Sequence, residues 1–279
     1  MADYDIHAVH QRILRILVAF HQTCREHNLC YYLWAGTMLG GVRHRGFIPW
    51  DDDADIAMPR PDYEQLIAHA SEWLPYPMEF VCAENNASYP LPFGKVQDAS
   101  TTLVERRHLF FLGGIYIDVF PIDGTPANPL LRKLHFARYE FFKRVLYLLH
   151  RDPYKHGRGP SSWVPLMCRK MYMLKGVQQS VRRLLLKYDY EQSALVADYD
   201  DGSHGAISKA ILGKPTPCEF EGEHLMGVEQ FDRYLSNKYG DYMTIPDGAH
   251  QRQHLFHELD LDKPYRQTGA ALQSSSLQD

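Results

Sequence analysis

Four aspartates crowd into five positions, Asp51, Asp52, Asp53 and Asp55, within PWDDDADIAM at 49–58. A strand cannot hold that charge density in a dry core, because each buried carboxylate must be paired or must coordinate a cation. Asp53 and Asp55 stand two positions apart, which on a strand puts both on one face, roughly 7 Å from each other. Carboxylates so placed can grip one or two hard divalent cations, Mg²⁺ or Mn²⁺, together with phosphate oxygens. The plain alternatives are a solvated acidic turn and a calcium loop. An EF-hand counted from Asp51 needs Gly at its sixth place and Glu at its twelfth; Ile56 and Asp62 stand there, which excludes it.

The elements that would position these acids follow from the residue pattern. From Asp53 to Met58, Asp53, Asp55 and Ala57 alternate with Ala54, Ile56 and Met58, a period of two that predicts a strand with Asp53 inside it. Pro59 and Pro61 end that strand and open a helix. Seventeen residues before Asp53, Gly36-Thr37 lies between a short apolar run, Cys30–Trp34, and a helix over 38–44. Such a turn offers backbone N–H groups to a phosphate. A strand, a Gly-Thr helix start and an Asp-x-Asp strand together form the core of the nucleotidyltransferase fold, in which a later neighbouring strand supplies a third acid. Asp118, alone in the apolar GIYIDVFPID, fits that place, its alternative being an edge-strand acid facing water. The metal set expected from the pattern is Asp53, Asp55 and Asp118, all three catalytic.

Further candidates are weaker. Arg43, His44 and Arg45 follow the phosphate turn and suit a diphosphate or a merely basic helix end. Lys95, in FGKVQD, reaches a phosphate or pairs with Asp98 or another acid. Trp34, Tyr116 and Tyr239 suit stacking on a base, boxing a quaternary ammonium, or plain core packing. His250, His254 and His257, with Cys218 upstream, have only loose spacing for zinc; His254 better suits a donor to phosphate or acceptor.

Around these motifs, an apolar stripe of Val9, Ile13, Ile16, Leu17, Phe20 and Cys24 predicts a helix over 7–28. Strands are expected at 78–83, 93–98, 101–105 and 115–120, the last closed by Pro121 and a turn at Asp123-Gly124. Helices are expected at 129–150, 163–188 and 229–239. The plan is α/β (α+β): a mixed sheet core flanked by helices over 1–126, a helical part over 127–217, a segment 218–265 that returns to complete the site, and a polar tail, 266–279, expected to be disordered. The net charge of −4 does not mark a nucleic-acid binder. No apolar run is long enough to span a bilayer, MADYDIHAVH does not resemble a signal peptide, and five scattered cysteines suit a reduced cytoplasm. The basic aromatic helix 132–151 suits either an anionic membrane, at the inner face, or packing on the body with its cations outward.

The stretch YYLWAGTMLGGVRHRGFIPWDDDADIAM resembles the signature of the LicD family, the phosphocholine-transferase-like proteins that also include the fukutin-related proteins. GGIYIDVFPIDG at 113–124 is similar to the family's second block, and FEGEHLM at 220–226 and YLSNKYGDYMTIP at 234–246, followed by His254, to its C-terminal block. The usual Pro-Pro-acidic-basic run is replaced here by Pro246-Asp247-Gly248-Ala249-His250. The resemblance implies transfer of a phosphorylated alcohol from a CDP-activated donor, CDP-choline in the usual bacterial case, to a sugar hydroxyl of teichoic acid, lipopolysaccharide or capsular glycan, releasing CMP. Relatives move ribitol or glycerol phosphate. It also implies that Asp53, Asp55 and Asp118 are the metal-binding and catalytic acids, with Asp51 a fourth acidic position. Two other readings stay open on the residues: nucleotidyl transfer from an NTP, and a catalytically silent nucleotide- or carbohydrate-binding protein.

Overall fold

The computed structural model describes residues 4–268 apart from 106, 110, 249, 250, 252, 254 and 255. In chain order it contains α1 (Ile6–Glu26), β1 (Tyr32–Leu33), α2 (Ala35–His44), β2 (Asp55–Pro59), α3 (Arg60–Trp73), β3 (Met78–Val81), β4 (Gly94–Asp98), β5 (Thr102–Val104) and β6 (Tyr116–Gly124). Then follow α4 (Pro129–His150), α5 (Pro160–Met171), α6 (Leu174–Leu185), β7 (Leu195–Asp198), β8 (Ile207–Ser208), α7 (Lys209–Leu212), β9 (Thr216–Phe220), β10 (Glu223–Gly227), α8 (Phe231–Tyr239) and β11 (Glu258–Asp260).

The central sheet runs β1-β2-β6-β4-β3, with β7 and β8 added beside β6. Only the β2–β6 pair is parallel; the others are antiparallel. It is a mixed α/β architecture, as the residue pattern predicts. One face of the sheet is dry. Ile56, Ile117, Val119 and Val96 are fully buried in the same core as the α1 stripe Val9, Ile13, Ile16, Leu17, Phe20 and Cys24. Burying such side chains contributes about 1.5–3 kcal/mol each, so this core sets the register of the strands carrying the acids. Asp5 caps α1 by accepting from the His7 N–H, and Asn128 caps α4 by accepting from Leu130 and Leu131 N–H, with Pro129 at the first helical position.

Two strand expectations are corrected. Strand β2 begins at Asp55, so Asp53 lies in the approach to it rather than inside it. Strand β6 does not close at Pro121 but continues through Asp123-Gly124. The reason lies in the edge opposite β2. There β4 pairs as far as Val119 and β7 starts at Ile122. Pro121 falls in the gap between them, where a missing N–H breaks no ladder on that side. Asp123 is buried in a two-point pair with Arg60, at 2.7 and 2.6 Å, which ties α3 to the end of β6.

Strands β7 and β8, from within 127–217, extend the central sheet. Over them pack α4 and α6, through Phe136, Tyr139, Val181, Leu185, Ala197 and Tyr199. Strand β11 pairs with β5. Of the tail expected to be disordered, 266–268 are placed: Arg266 pairs with Glu79 at 2.6 Å and Thr268 is buried against Thr102. Residues 269–279 lie outside the described residues. All five cysteines are free thiols, and no helix among the described residues is long and apolar enough to cross a membrane.

Candidate active site

Register places the acids. Asp118 on β6 faces Asp55 on β2 across the parallel pair and Lys95 on β4 across the antiparallel one. Cross-strand partners share a sheet face, so Asp55, Asp118 and Lys95 form a row over three adjacent strands. Alternation adds Tyr116 and Phe120 from β6 on the same face. This face is the floor of a cavity of about 470 Å³, to which Asp53, Asp55, Lys95, Tyr116, Asp118 and Phe120 all contribute.

Lys95 is 2% exposed. Its Nζ stands 2.9 Å from Asp118 Oδ1, in an ion pair, and 3.5 Å from Glu105 Oε2. It also lies over the Tyr116 ring, whose hydroxyl donates to Glu105 at 2.9 Å. The resulting charge balance is uneven. Burial pushes the Asp118 carboxyl up to about 6, with Lys95 holding it down against Glu105 and Asp53. Asp55 is pushed well above the usual carboxylate range, first by burial and then by Asp53, Asp118, Asp51 and Asp198, and none of these brings positive charge. Among the described residues no cation or hydrogen-bond donor is paired with its carboxylate.

Opposite this floor stands α4. Glu140, Lys143, Arg144 and Tyr147, spaced i, i+3, i+4 and i+7, occupy one helical stripe and line the cavity. Lys143 pairs with Asp200, which also lines it. Arg144 is exposed and makes no ion pair among the described residues. Between floor and helix stand Leu91, Phe93, Leu109 and Phe111, with Phe93 packed on Phe120 at 4.4 Å.

Other expected residues stand elsewhere. Gly36 and Thr37 open α2 beneath β2 rather than lining the cavity. The Thr37 hydroxyl accepts from the Asp55 N–H at 2.7 Å, and a Cβ at Gly36 would come within 2.9 Å of Asp51 Oδ2. The pair therefore supports the acidic segment. Trp34 is buried and donates to Asp198 Oδ2 at 3.3 Å while packing on Tyr234, so it is core rather than a stacking platform. Arg43 sits at the far end of α2, donating to the Tyr242 carbonyl at 2.9 Å and to His44 at 3.0 Å; neither Arg43 nor His44 lines the cavity. Lys95 pairs with Asp118 and Glu105, whereas Asp98 pairs with Arg12 at 3.6 Å. Tyr239 is half-exposed at the end of α8, its hydroxyl raised by burial and by Asp55, Asp201, Asp51 and Asp53. His250 and His254 lie outside the described residues, and His257 is exposed.

Among the described residues no group of three or more His, Cys, Asp or Glu side chains is arranged to hold a metal ion by itself. The donor set nevertheless suits one. Two hard carboxylates, Asp53 and Asp55, reach the same cavity, and among the described residues no cation pairs with Asp55. Magnesium is commonly held by one or two carboxylates plus substrate phosphates.

The residues that sequence reasoning missed are Glu105, Phe93, Phe120, Lys143, Arg144, Tyr147 and Asp200. The stripe at 140, 143, 144 and 147 is visible in the sequence, but it has the spacing of any solvated helix face.

A mixed sheet with an acid pair on adjacent parallel strands, its acidic segment supported by a Gly-Thr helix start, is the arrangement expected of the nucleotidyltransferase fold. Residues 28–147 match the family described as LicD/FKTN/FKRP, nucleotidyltransferase domain, and the chain carries a domain of that family. It is 25% identical over 256 residues, 88% of its own length and 94% of the relative's, to the lipopolysaccharide cholinephosphotransferase LicD of Haemophilus influenzae. Shorter stretches match uncharacterized proteins of Rickettsia prowazekii, 39% identical over 23% of this chain and 25% of that one, and Rickettsia typhi, 45% over 17% and 16%.

Proposed function

We propose that this chain is a transferase that moves phosphocholine from CDP-choline to a sugar hydroxyl of a cell-surface glycan or its precursor, releasing CMP. The observation that carries the reading is the in-register acid pair, Asp55 and Asp118, open to one cavity beside Asp53. Similarity to a cholinephosphotransferase over 88% of the chain supports the choice of group moved.

Asp53 and Asp55 would hold Mg²⁺ or Mn²⁺, as one or two ions. When bound, such an ion neutralises the charge that builds on the transferred phosphoryl group and the departing CMP. Asp118 serves as general base for the acceptor hydroxyl. A carboxyl pushed up to about 6 is largely ionised near neutral pH yet basic enough to take a proton. Lys95 fixes its position through the ion pair at 2.9 Å. Arg144, with Lys143, meets the donor phosphates from the opposite wall. The ring faces of Phe93, Phe111 and Phe120 offer an apolar wall for a trimethylammonium group or a cytosine. With little covalent chemistry assigned to the protein, positioning and electrostatics carry the rate. Lipopolysaccharide is the favoured acceptor, with teichoic acid and capsular sugars in the same chemical class.

Phosphorus NMR of the purified chain with CDP-choline, Mg²⁺ and choline-free lipopolysaccharide tests this. The expected result is loss of the diphosphate signals with appearance of CMP and a phosphodiester. Pyrophosphate released from an NTP, with CDP-choline left intact, would favour nucleotidyl transfer. Binding of CDP-choline with no turnover of any CDP-alcohol would favour a silent binding protein.

A further inference from the structure

Helix α5 carries its apolar side chains on the wrong side for a helix that serves only the fold. Its buried residues are Ser162 and Pro165, while Trp163, Val164, Leu166, Met167 and Met171 point outward. Trp163 is 67% exposed, and Met173, just beyond the helix, 82%. Trp163, Met167 and Met171 recur at four-residue steps, so they form one outward stripe, with Lys170 beside it. A soluble surface scatters large apolar residues singly; a contiguous stripe marks an interaction site.

Charge says what kind. The whole chain carries −4, yet residues 153–188 contain eight Lys and Arg and no Asp or Glu. Arg182 is drawn back to Glu64 and Glu84, and Arg169 to the carbonyls of Leu149 and Arg151 at the end of α4. The other six, Lys155, Arg158, Lys170, Lys175, Arg183 and Lys187, are exposed and form no ion pair among the described residues.

We infer that α5 and its flanks are a docking surface for an anionic phospholipid bilayer. Trp and Met side chains enter the headgroup boundary, and the surrounding cations meet lipid phosphates. A second copy of the chain is the poorer occupant, because a two-fold contact would set this basic patch against itself. Helix 132–151, which by sequence suits either a membrane or packing on the body, has one stripe on the cavity and another on α6. Helix α5 packs against α4, the helix that carries the cavity's cationic wall. The inference does not depend on which group the cavity transfers.

Flotation of the full chain with vesicles tests it, using phosphatidylcholine alone and phosphatidylcholine mixed with phosphatidylglycerol. The chain is expected to float with the anionic vesicles and to bind neutral ones about tenfold less or weaker still, with raised salt having the same effect. Trp163→Asp combined with Met167→Asp is expected to abolish flotation while leaving the circular dichroism spectrum and melting temperature unchanged, since both side chains are exposed. Lys170→Glu with Lys175→Glu is expected to weaken anionic binding severalfold. Failure of the wild type to float with anionic vesicles overturns the inference, as does flotation of the Trp163/Met167 variant at the wild-type level. Light scattering that shows a dimer broken by that variant, with no vesicle binding, assigns the stripe to a contact between copies and overturns it too.

Discussion

The floor and the far wall of the cavity are built in opposite ways. On the floor, Asp55, Asp118 and Lys95 are fixed by strand register, with Lys95 2% exposed and held by two acids and a ring. On the wall, Lys143 and Arg144 stand on one helix, and Arg144 is exposed with no ion pair among the described residues. The floor holds like charges together at the expense of their ionisation. The wall presents an exposed cation, Arg144, at little structural cost. Under the proposed function, a site that receives a diphosphate needs both: a rigid place for developing charge and a compliant grip on the ground-state ligand.

Substitutions on each side should therefore fail differently. Asp55→Asn is expected to cut turnover about a thousandfold or more, since a lost contribution of several kcal/mol to the transition state counts tenfold per 1.4 kcal/mol. Steady-state kinetics with CDP-choline checks it, and near-normal kcat would remove the acid row from the chemistry. Lys95→Met removes the buried cation that pairs with Asp118 on the floor. It is expected to destabilise the fold by about 3 kcal/mol in urea titration, and an unchanged midpoint would mean the floor is not locked as described. Arg144→Ala is expected to raise KM for the donor about tenfold, with kcat and stability nearly unchanged. A kcat loss as large as that of Asp55→Asn would erase the contrast between floor and wall. Phe141→Ser on the outer side of α4 is the reference. Phe141 is half-exposed, and the change is expected to stay within about 0.5 kcal/mol of wild-type stability.

The same contrast explains what the sequence made legible. Asp53, Asp55 and Asp118 stood out because acids among apolar strand residues are expensive unless they serve a charge. The α1 stripe stood out because its 3.6-residue period is set by burial. Strand β2 was read two residues too early, since an Asp-x-Asp alternation looks the same on a strand and on the extended approach to it. The extent of β6 was misread because Pro121 breaks no ladder only where two neighbouring strands leave a gap, and that gap is a tertiary fact. Trp34, Arg43 and His44 were placed near the ligand by adjacency along the chain, whereas helix α2 carries Arg43 and His44 to its far end and the core takes Trp34. The Glu140–Tyr147 stripe was invisible as a site because a helix of that spacing on the surface looks no different.

The central claim is that the acid row receives a divalent ion together with the donor's phosphates. Calorimetric titration of CDP-choline into the wild type and into Asp53→Asn/Asp55→Asn, each with and without Mg²⁺, tests it directly. The expected result is donor binding strengthened about tenfold or more by Mg²⁺ in the wild type and unaffected by it in the variant. Equal Mg²⁺ dependence in both proteins, or none in either, would contradict the account.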